Sequence, residues 1–329
     1  MIDKYNREID YVRISVTDRC NLRCVYCMPK EGVTFLPHSA VMTCEEIVSI
    51  AECFGELGIR KIKLTGGEPL VRKDIIGLVG KLKQIKGIEK VTLTTNGIYL
   101  EEQLEALIKA GIDGINISLD TLDQNKFTEL TGFDGLLKVR ESITKALAYQ
   151  NVPIKINCVP LRKFHDKDSL LALAALAKDT KLHVRFIEVM PLGYGKHMEG
   201  YSEQEIIDIL RSSYRELEQY TKSLGNGPGK YYSIPGFQGK IGFISAVSHE
   251  FCSSCNRVRL TSAGILKTCL QYSGGTDIKA ALREGSSKEE IKDMIKNAID
   301  RKPESHVFTK DRPAFSETLE DKGMSQIGG

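Results

Sequence analysis

Long apolar segments and an excess of one charge are both missing from this sequence of 329 residues. Its longest apolar run, residues 170–177, is far shorter than the roughly 20 residues that a transmembrane helix needs. The N-terminus lacks the apolar core of a signal peptide. The net charge is only +3, tryptophan is absent, and no basic run alternates with aromatic residues, so nucleic acid is not an expected partner. We therefore expect a cytoplasmic protein that binds neither a membrane nor nucleic acid.

Disulfide bonds are not expected either. The chain has nine cysteines, an odd number, and no secretion signal, which favours a reducing compartment. Three of them, Cys44, Cys53 and Cys158, occur inside helix-like or strand-like patterns and are interpreted as packing residues. The other cysteines form two groups of three.

A short strand followed by an amphipathic helix recurs between residues 10 and 190. The predicted strands cover residues 11–17, 61–65, 90–95, 114–120, 154–159 and 183–188. The predicted helices between them cover residues 44–57, 72–86, 101–110, 134–150 and 167–179. Consecutive βα units predict a parallel sheet with right-handed crossovers, either an open doubly wound sheet or a barrel.

Polar residues alternate with apolar ones along most of these strands. Parallel strands that helices cover on both faces have continuous apolar runs instead. Because successive side chains point to opposite faces, one face of this sheet is polar. Its polar positions include Arg13, Lys63, Asn116, Lys155 and Arg185. The pattern favours an α/β fold, a partial (β/α)6 barrel of the TIM type, with a lumen for a multiply anionic ligand and a site at the carboxyl ends of the strands. A polar face that is simply solvated is the alternative.

The pattern changes after residue 190. The elements predicted there are a helix at 203–214, strands at 231–234 and 240–245, and helices at about 275–283 and 287–300. The glycine-rich segment 225–230 resembles a phosphate-binding loop, but its glycine spacing is one residue short and Tyr231 replaces the required Ser or Thr. This segment is interpreted as a connecting loop.

The first group of cysteines, Cys20, Cys24 and Cys27, directly follows the first predicted strand. Three thiolates from one loop can hold a metal ion or an iron–sulfur cluster. Structural zinc and four-iron clusters usually take four protein ligands, and no fourth cysteine or histidine lies nearby in the sequence. A four-iron cluster held by these three cysteines would keep one iron open for a substrate. The alternative is three buried packing cysteines.

The second group is Cys252, Cys255 and Cys269, with thirteen residues between the last two. It is also one ligand short of a closed four-ligand site. His249 is a candidate fourth ligand if this group binds zinc instead.

Two shorter motifs accompany these groups. Arg257 and Arg259 lie two positions apart inside the second group and share one face if the segment is a strand. Two guanidinium groups beside a metal suit a phosphate or carboxylate ligand. Gly66 and Gly67 end the second predicted strand in the sequence Gly-Gly-Glu-Pro and allow the backbone to approach a ligand closely.

These motifs together resemble a known family. The spacing Cys-x3-Cys-x2-Cys, with Tyr26 before the third cysteine, and Gly-Gly-Glu-Pro resemble the radical S-adenosylmethionine (SAM) superfamily. The second group with its arginine pair and the terminal Gly-Gly resemble the MoaA family, the GTP 3′,8-cyclases of molybdenum cofactor biosynthesis. The resemblance implies a barrel domain, residues 1–200, with a first [4Fe–4S] cluster, and a C-terminal region, residues 201–329, with a second cluster and GTP-binding arginines.

The resemblance also implies which residues contact each group. It assigns the first cluster to Cys20, Cys24 and Cys27, and the second to Cys252, Cys255 and Cys269. It assigns SAM to Tyr26, Gly67, Ser118 and Met190. It assigns GTP to Arg13, Lys63, Thr94, Lys155, Arg257 and Arg259, with Lys63 standing where many relatives have arginine. It implies catalytic roles for Arg257, Arg259, Gly328 and Gly329.

The implied reaction is the conversion of GTP to (8S)-3′,8-cyclo-7,8-dihydroguanosine 5′-triphosphate. An electron reaches the first cluster and SAM is cleaved to methionine and a 5′-deoxyadenosyl radical, which abstracts the ribose 3′ hydrogen so that C3′ attacks guanine C8. The implied partners are GTP, an electron donor and a cyclic pyranopterin monophosphate synthase that takes the product, and the chain is expected to be a monomer or homodimer. The alternatives are a peptide-modifying radical SAM enzyme with two clusters, a non-catalytic iron–sulfur electron carrier, and a zinc-binding interaction module.

Overall fold

The computed structural model describes residues 1–222, 224–308 and 319–328. Strands β1 to β12 are, in chain order, Tyr11–Ser15, Lys61–Thr65, Lys90–Thr95, Ile115–Ser118, Ile154–Cys158, His183–Ile187, Glu218–Tyr220, Lys230–Ser233, Ile241–Ile244, Arg257–Leu260, Ile265–Lys267 and Thr276–Asp277. Helices α1 to α10 are Cys44–Glu56, Ile75–Lys83, Leu100–Lys109, Gln124–Thr131, Leu136–Leu147, Lys167–Ala175, Glu203–Tyr214, Ile278–Arg283, Lys288–Asp300 and Met324–Ile327.

All twelve strands belong to one sheet, in the order β12-β11-β10-β1-β2-β3-β4-β5-β6-β9-β8-β7. Strands β1 to β6 are parallel neighbours in chain order, and helices connect them. The prediction of a partial α/β barrel is confirmed. Helix α4 was not predicted, because only Phe127 and Leu130 among its residues are apolar. The fourth crossover therefore contains two helices, α4 and α5.

The region after residue 200 extends this sheet at both edges. Strand β10 pairs in parallel with β1, so that Arg257 lies beside Tyr11 and Arg259 beside Arg13. Strand β9 pairs in parallel with β6 at the opposite edge. Arg257 and Arg259 do lie on a strand, as their spacing indicated, and they continue the row of basic residues that β1 begins. The domain boundary at residue 200 stays a prediction.

The two faces of the sheet divide the core from the site. The apolar residues of β1 and β2, such as Val12, Ile14, Ile62 and Leu64, are completely buried within the main hydrophobic core, where the helices pack. Burial of this apolar surface is the main favourable term for folding. The polar residues of the same strands face a cavity instead, as the alternation predicted.

The C-terminal helices close the outside of the barrel. Helix α9 begins with a capping box formed by Ser287 and Glu290, and it packs against α1. Lys288 and Lys292 of α9 form ion pairs with Glu56 of α1 at 2.7 and 2.9 Å. None of the helices in the described part of the chain is long and apolar enough to span a bilayer.

Candidate active site

A cavity of about 570 Å³ lies on the polar face of the sheet. It extends from the amino ends of the strands, marked by Tyr11 and His183, to their carboxyl ends, marked by Thr95 and Ser118. Both ends of the barrel therefore contribute to one continuous space. The residues that the sequence assigned to SAM and GTP all line it, namely Arg13, Tyr26, Lys63, Gly67, Thr94, Ser118, Lys155, Met190, Arg257 and Arg259.

The first cysteine group lines the carboxyl end of the cavity. The backbone N–H groups of Cys27 and Met28 both donate to the carbonyl of Cys24, at 2.8 and 3.1 Å, which folds the loop into a tight turn. Burial raises the pKa of Cys20 to about 12 and that of Cys27 to about 11. Three half-buried thiols that resist ionisation become thiolates when a metal compensates their charge. The donor set therefore suits a metal cluster better than ordinary packing.

Gly66 and Gly67 let the end of β2 pack directly against this loop. A Cβ at Gly67 would lie only 2.3 Å from the carbonyl oxygen of Arg19, and one at Gly66 only 2.6 Å from that of Thr17. The Gly67 N–H donates to the Thr17 carbonyl at 2.7 Å. Only glycine fits at either position, and Gly67 itself borders the cavity.

Glu68 of the same motif joins the ends of two strands. Its carboxylate accepts hydrogen bonds from the Thr95 hydroxyl at 2.7 Å and from the Asn96 N–H at 2.6 Å. Asn96 in turn donates to Asn21 in the cysteine loop at 2.7 Å. Burial nevertheless raises the pKa of Glu68 to about 7. The Gly-Gly-Glu-Pro motif thus fixes the position of the first cysteine loop relative to β2 and β3.

Tyr26 is held by the end of β4. Its hydroxyl donates to Asp120 at 2.8 Å, and the same carboxylate accepts from the Val159 N–H at 2.7 Å. Sequence reasoning did not identify Asp120, whose position after Ser118 at a strand end was its only signal. This contact joins the cysteine loop to the strand that carries Ser118.

The second cysteine group lies at the amino end of β10. Cys252, Cys255 and Cys269 influence one another electrostatically, so the fold has brought the three thiols together. Burial opposes ionisation of Cys255, but the charges of Lys302 and Arg257 outweigh it and lower the pKa of this thiol. A cationic neighbour of this kind favours a thiolate ligand. The lining of the main cavity includes Arg257 but none of the three cysteines.

His249 is not the histidine nearest this group. Its ring lies 3.4 Å from Glu203, and about half of its side chain is exposed. His306 is instead buried beside Cys252, and its backbone N–H donates to the Cys252 sulfur at 3.4 Å. The potential ligand atoms of Glu250, Cys252 and His306 lie within 4.8 Å of one another. Nothing in the spacing of the sequence indicated His306, which lies 54 residues after Cys252.

Six basic side chains from five strands, together with the more exposed Lys90 of β3, line the cavity. The six are Arg13, Lys63, Lys155, Arg185, Arg257 and Arg259. Burial and repulsion from neighbouring cations lower the pKa of Lys63 well below its usual value and that of Lys155 to about 7. Sequence reasoning did not assign Arg185 to the site, although its place among the alternating polar residues of β6 indicated it.

The carboxylates around the cavity do not neutralise these cations. Glu68 accepts from Thr95 and Asn96, and Asp120 from Tyr26. Asp113 accepts from Lys83, and Glu188 accepts from the backbone N–H groups of Val247 and Ser248. Buried nitrogens of Arg257 (Nε and Nη2) and Arg185 (Nε) have no hydrogen-bond partner within the described ranges. Buried donors with a full positive charge need an anion, so the cavity is built for one.

The C-terminal tail reaches this cavity as well. Ser325 and Met324 line it, and Ser325 lies beside Cys27. The Gly328 carbonyl accepts a hydrogen bond from Arg259 at 2.6 Å. Gly328 adopts a left-handed φ of 78° and so ends α10. Gly329, the other glycine assigned a role, lies outside the described residues.

Comparisons with known proteins agree with this geometry. Residues 14–175 match the model of the radical SAM superfamily, and residues 182–308 match that of Molybdenum Cofactor Synthesis C. The chain is 46% identical over 330 residues to a GTP 3′,8-cyclase of Clostridium perfringens (strain 13 / Type A), and the match covers 100% of both chains. It is 40% identical over 312 residues to Molybdenum cofactor biosynthesis protein 1 of Dictyostelium discoideum, covering 93% of this chain and 49% of that protein.

Among solved structures, Streptococcus suis SuiB matches with a TM-score of 0.60 and 18% identity. This match covers 81% of the chain and 62% of SuiB, so the chain spans less than two thirds of that protein. The likeness to SuiB supports the fold alone. The full-length matches to cyclases, together with the two family models, establish that the chain belongs to the GTP 3′,8-cyclase family of the radical SAM superfamily.

Proposed function

We propose that this protein converts GTP to (8S)-3′,8-cyclo-7,8-dihydroguanosine 5′-triphosphate, the first step of molybdenum cofactor biosynthesis, and is therefore a lyase. The observation that carries the proposal is a cavity that joins three half-buried thiols at one end to six buried or half-buried cations along its polar face. The thiols suit a cluster, and the cations suit a nucleotide triphosphate. Neither an electron carrier nor a zinc-binding module needs the two side by side.

The residues present fit two iron–sulfur clusters. Each group supplies three thiols, which hold a four-iron cluster and keep one iron open. In this proposal Cys20, Cys24 and Cys27 hold the first cluster and SAM lies beside it, against Tyr26, Gly67, Ser118 and Met190. Cys252, Cys255 and Cys269 hold the second cluster near the nucleotide base. When bound, the first cluster and SAM supply the radical chemistry, abstraction of the ribose 3′ hydrogen and closure of the bond from C3′ to guanine C8.

The chain's own side chains position the nucleotide. Arg13, Lys63, Lys155, Arg257 and Arg259 neutralise the phosphates, and Thr94 adds a hydroxyl. The unpartnered nitrogens of Arg257 support this role, because charge-assisted hydrogen bonds to phosphate satisfy donors that the protein leaves without an acceptor. Binding the anion also relieves the repulsion among the cations. The affinity of the site therefore comes from charge, and its precision from the rigid sheet that carries the charges.

The tail positions the reacting groups and excludes water. Arg259 contacts the Gly328 carbonyl, and Ser325 lies beside Cys27, so the tail spans the distance from the arginine pair to the first cluster site. We assign Arg257, Arg259 and Gly328 to catalysis on this basis, and Gly329 from the resemblance of the terminal Gly-Gly. Covering the cavity with backbone protects a radical intermediate from solvent.

The proposed partners follow from the reaction. GTP is the substrate, an electron donor must reach the first cluster, and a cyclic pyranopterin monophosphate synthase takes the product. A reducing cytoplasm suits both clusters and the nine free cysteines.

The test is anaerobic reconstitution with iron and sulfide, followed by addition of dithionite, SAM and GTP. We expect 5′-deoxyadenosine together with a cyclised nucleotide that depends on GTP. If 5′-deoxyadenosine forms without any GTP-derived product, the assignment to this reaction fails and a different radical SAM substrate, such as a peptide, takes its place. If iron binds but SAM is never cleaved, the electron-carrier alternative is correct.

A further inference from the structure

The glycine-rich segment that the sequence presented as a connecting loop lines the cavity. Residues 224–228, here called the floor loop, belong to the connection between β7 and β8. All of them border the cavity that the six basic side chains line. They lie at the amino ends of the strands, near His183 and Tyr11. The first cysteine group borders the opposite, carboxyl end. The floor loop therefore closes the end of the cavity that is farthest from the radical chemistry.

Three hydrogen bonds between described residues connect the floor loop to other parts of the barrel. Lys155 of β5 donates its ammonium group to the Leu224 carbonyl. Tyr231 of β8 donates its hydroxyl to the same carbonyl at 3.3 Å. Asn256, directly before β10, donates its side-chain amide to the Asn226 carbonyl at 3.3 Å. The loop thus bridges the two edges of the open barrel, β8 on one side and β10 on the other.

The Leu224 carbonyl is a weaker hydrogen-bond acceptor for Lys155 than an anion. Lys155 is a buried cation that lies close to Arg185 and Lys90, and a neutral peptide carbonyl is its hydrogen-bond acceptor. A phosphate oxygen forms a stronger, charge-assisted bond with an ammonium group than a carbonyl does. Within the described part of the chain, no backbone carbonyl accepts from the N–H groups of Asn226 and Gly227, and Gly227 is exposed. Consecutive N–H groups in a glycine-rich turn can bind a phosphate oxygen.

Gly225 makes the contact with Lys155 possible. A Cβ at this position would lie 2.5 Å from the Lys155 nitrogen, and the residue has a φ of +117°. Gly236, in the turn between β8 and β9, also has a positive φ, +83°, but no atom lies within 4 Å of its would-be Cβ. It does not border the cavity. Both glycines need a positive φ, but only Gly225 lies against Lys155.

We propose that the floor loop measures the length of the phosphate chain. The Leu224 carbonyl holds Lys155 until a terminal phosphate replaces it, and only a triphosphate reaches that far from a ribose held near SAM. GDP and GMP stop short of the floor and leave the contact between Lys155 and Leu224 intact. This inference rests on the proposed function, since it assumes that a guanosine nucleotide occupies the cavity.

The first experiment measures equilibrium binding of GTP, GDP and GMP to the reconstituted enzyme and its variants. We expect the wild-type protein to prefer GTP. In Gly225→Ala the added methyl group should displace the Lys155 ammonium from the place where it meets the terminal phosphate. The affinity for GTP should then fall roughly tenfold or more, because one charge-assisted contact is lost, while the affinity for GMP changes little. Gly236→Ala controls for strain in the backbone and should keep the wild-type preference. An unchanged ratio of GTP to GMP affinity in Gly225→Ala overturns the inference.

The second experiment needs no variant and decides the matter if Gly225→Ala fails to fold. Hydrogen exchange of the wild-type enzyme is followed by mass spectrometry in peptides that contain residues 224–229. GTP should change the exchange of these amides and GMP should not. An equal response to both nucleotides contradicts the floor loop as a measure of phosphate number. If GTP does not bind to the wild-type enzyme at all, the proposed function itself fails.

Discussion

Lys155 has unusual chemistry for a single residue, because it is buried among like charges. Burial, and then repulsion from Arg185 and Lys90, lower its pKa from 10.5 to about 7. The ammonium is therefore charged in only part of the molecules at neutral pH. An incoming phosphate stabilises the charged form, so binding and protonation are linked.

We expect GTP to bind more weakly as the pH rises above 7, because binding must return a proton to Lys155. The affinity should fall by up to about tenfold per pH unit. Titration calorimetry in buffers of different ionisation enthalpy measures both the affinity and the proton uptake. Lys155→Met should bind GTP weakly but with a flatter pH dependence, and an equally steep dependence in this variant would assign the effect to another group.

The same pKa has the opposite consequence for stability without nucleotide. Between pH 7 and 10.5 the unfolded chain holds a proton on Lys155 that the folded chain has released. The unfolded state then binds more protons, so the contribution of this group to the free energy of unfolding rises with pH in that window. In denaturant titrations, the free energy of unfolding of the wild type should rise relative to that of Lys155→Met as the pH increases from 7 to 10.5.

Arg257 has buried nitrogens without an acceptor, and its guanidinium stacks on Phe251 at 5.2 Å. Arg257→Ala should weaken GTP binding by about 10- to 100-fold, the value of one or two charge-assisted hydrogen bonds. Thermal unfolding with and without GTP measures this as a smaller nucleotide-dependent rise in Tm. Arg162, an exposed partner of Glu205 at 2.6 Å, is the matched control. A similar loss in Arg162→Ala would show that the effect is not specific to the cavity.

We expect substitutions in the two cysteine groups to affect different steps of the reaction. Cys20→Ala should lose the iron of one cluster and reduce SAM cleavage by at least about 100-fold. Cys255→Ala should lose the iron of the other cluster and retain SAM cleavage, but form no cyclised product. Cys53→Ala removes a buried sulfur from α1 and should keep the full iron content. Iron analysis and electron paramagnetic resonance distinguish these outcomes, and a fully active Cys255→Ala would exclude a second cluster at that position.

At the scale of elements, the short helix α10 matters beyond its length. It places Ser325 beside Cys27 and brings the Gly328 carbonyl to Arg259. A Cβ at Gly328 would lie 3.0 Å from the Cβ of Ser15, so the end of the helix fits closely against β1. This short helix is thus part of the cavity wall, although chain ends are usually poorly ordered.

Removal of Gly328 and Gly329 should therefore abolish cyclisation and leave the fold intact. The deletion takes away no side chain from the hydrophobic core, so the midpoint of thermal unfolding should shift by no more than about 2 °C. Circular dichroism follows unfolding, and mass spectrometry of the nucleotide products follows cyclisation. Unaltered turnover would mean that the reaction does not need this tail.

At the scale of the whole molecule, the two matched family regions share one sheet. Strand β10 hydrogen-bonds to β1, β9 hydrogen-bonds to β6, and α9 covers α1. Removing the C-terminal region exposes two edges of the parallel sheet and the apolar surface under α9. Unpaired sheet edges and exposed apolar surface both favour association with other chains over a stable fold.

We therefore expect a fragment of residues 1–200 to lack cooperative unfolding. Its thermal transition, followed by circular dichroism, should be broad, and the fragment should bind a dye that recognises exposed apolar surface. The full-length chain is the control. A sharp transition in the fragment would mean that residues 1–200 are an independent domain.

Much of the site was predictable because its signals are local. The spacing of Cys20, Cys24 and Cys27 and the alternation of Lys63 with apolar neighbours are visible within a few residues of sequence. Arg185 showed the same alternation and was placed on the polar face, but it was not assigned to GTP. His306 had no such signal, and Asp120 had only its place at a strand end. Their importance comes from Cys252 and Tyr26, which are far away in the chain.

The sequence by itself determined the βα order, the polar inner face of the barrel and two groups of three thiols, because these follow from periodicity and spacing. Only the tertiary structure decided that Arg259 lies beside Arg13, that the tail reaches Arg259, and that the loop at Leu224 closes the cavity on Lys155. These contacts join residues between 69 and 246 positions apart, where 259 − 13 = 246 is the longest separation. Pairing at such distances depends on which surfaces pack together, and no local pattern encodes it.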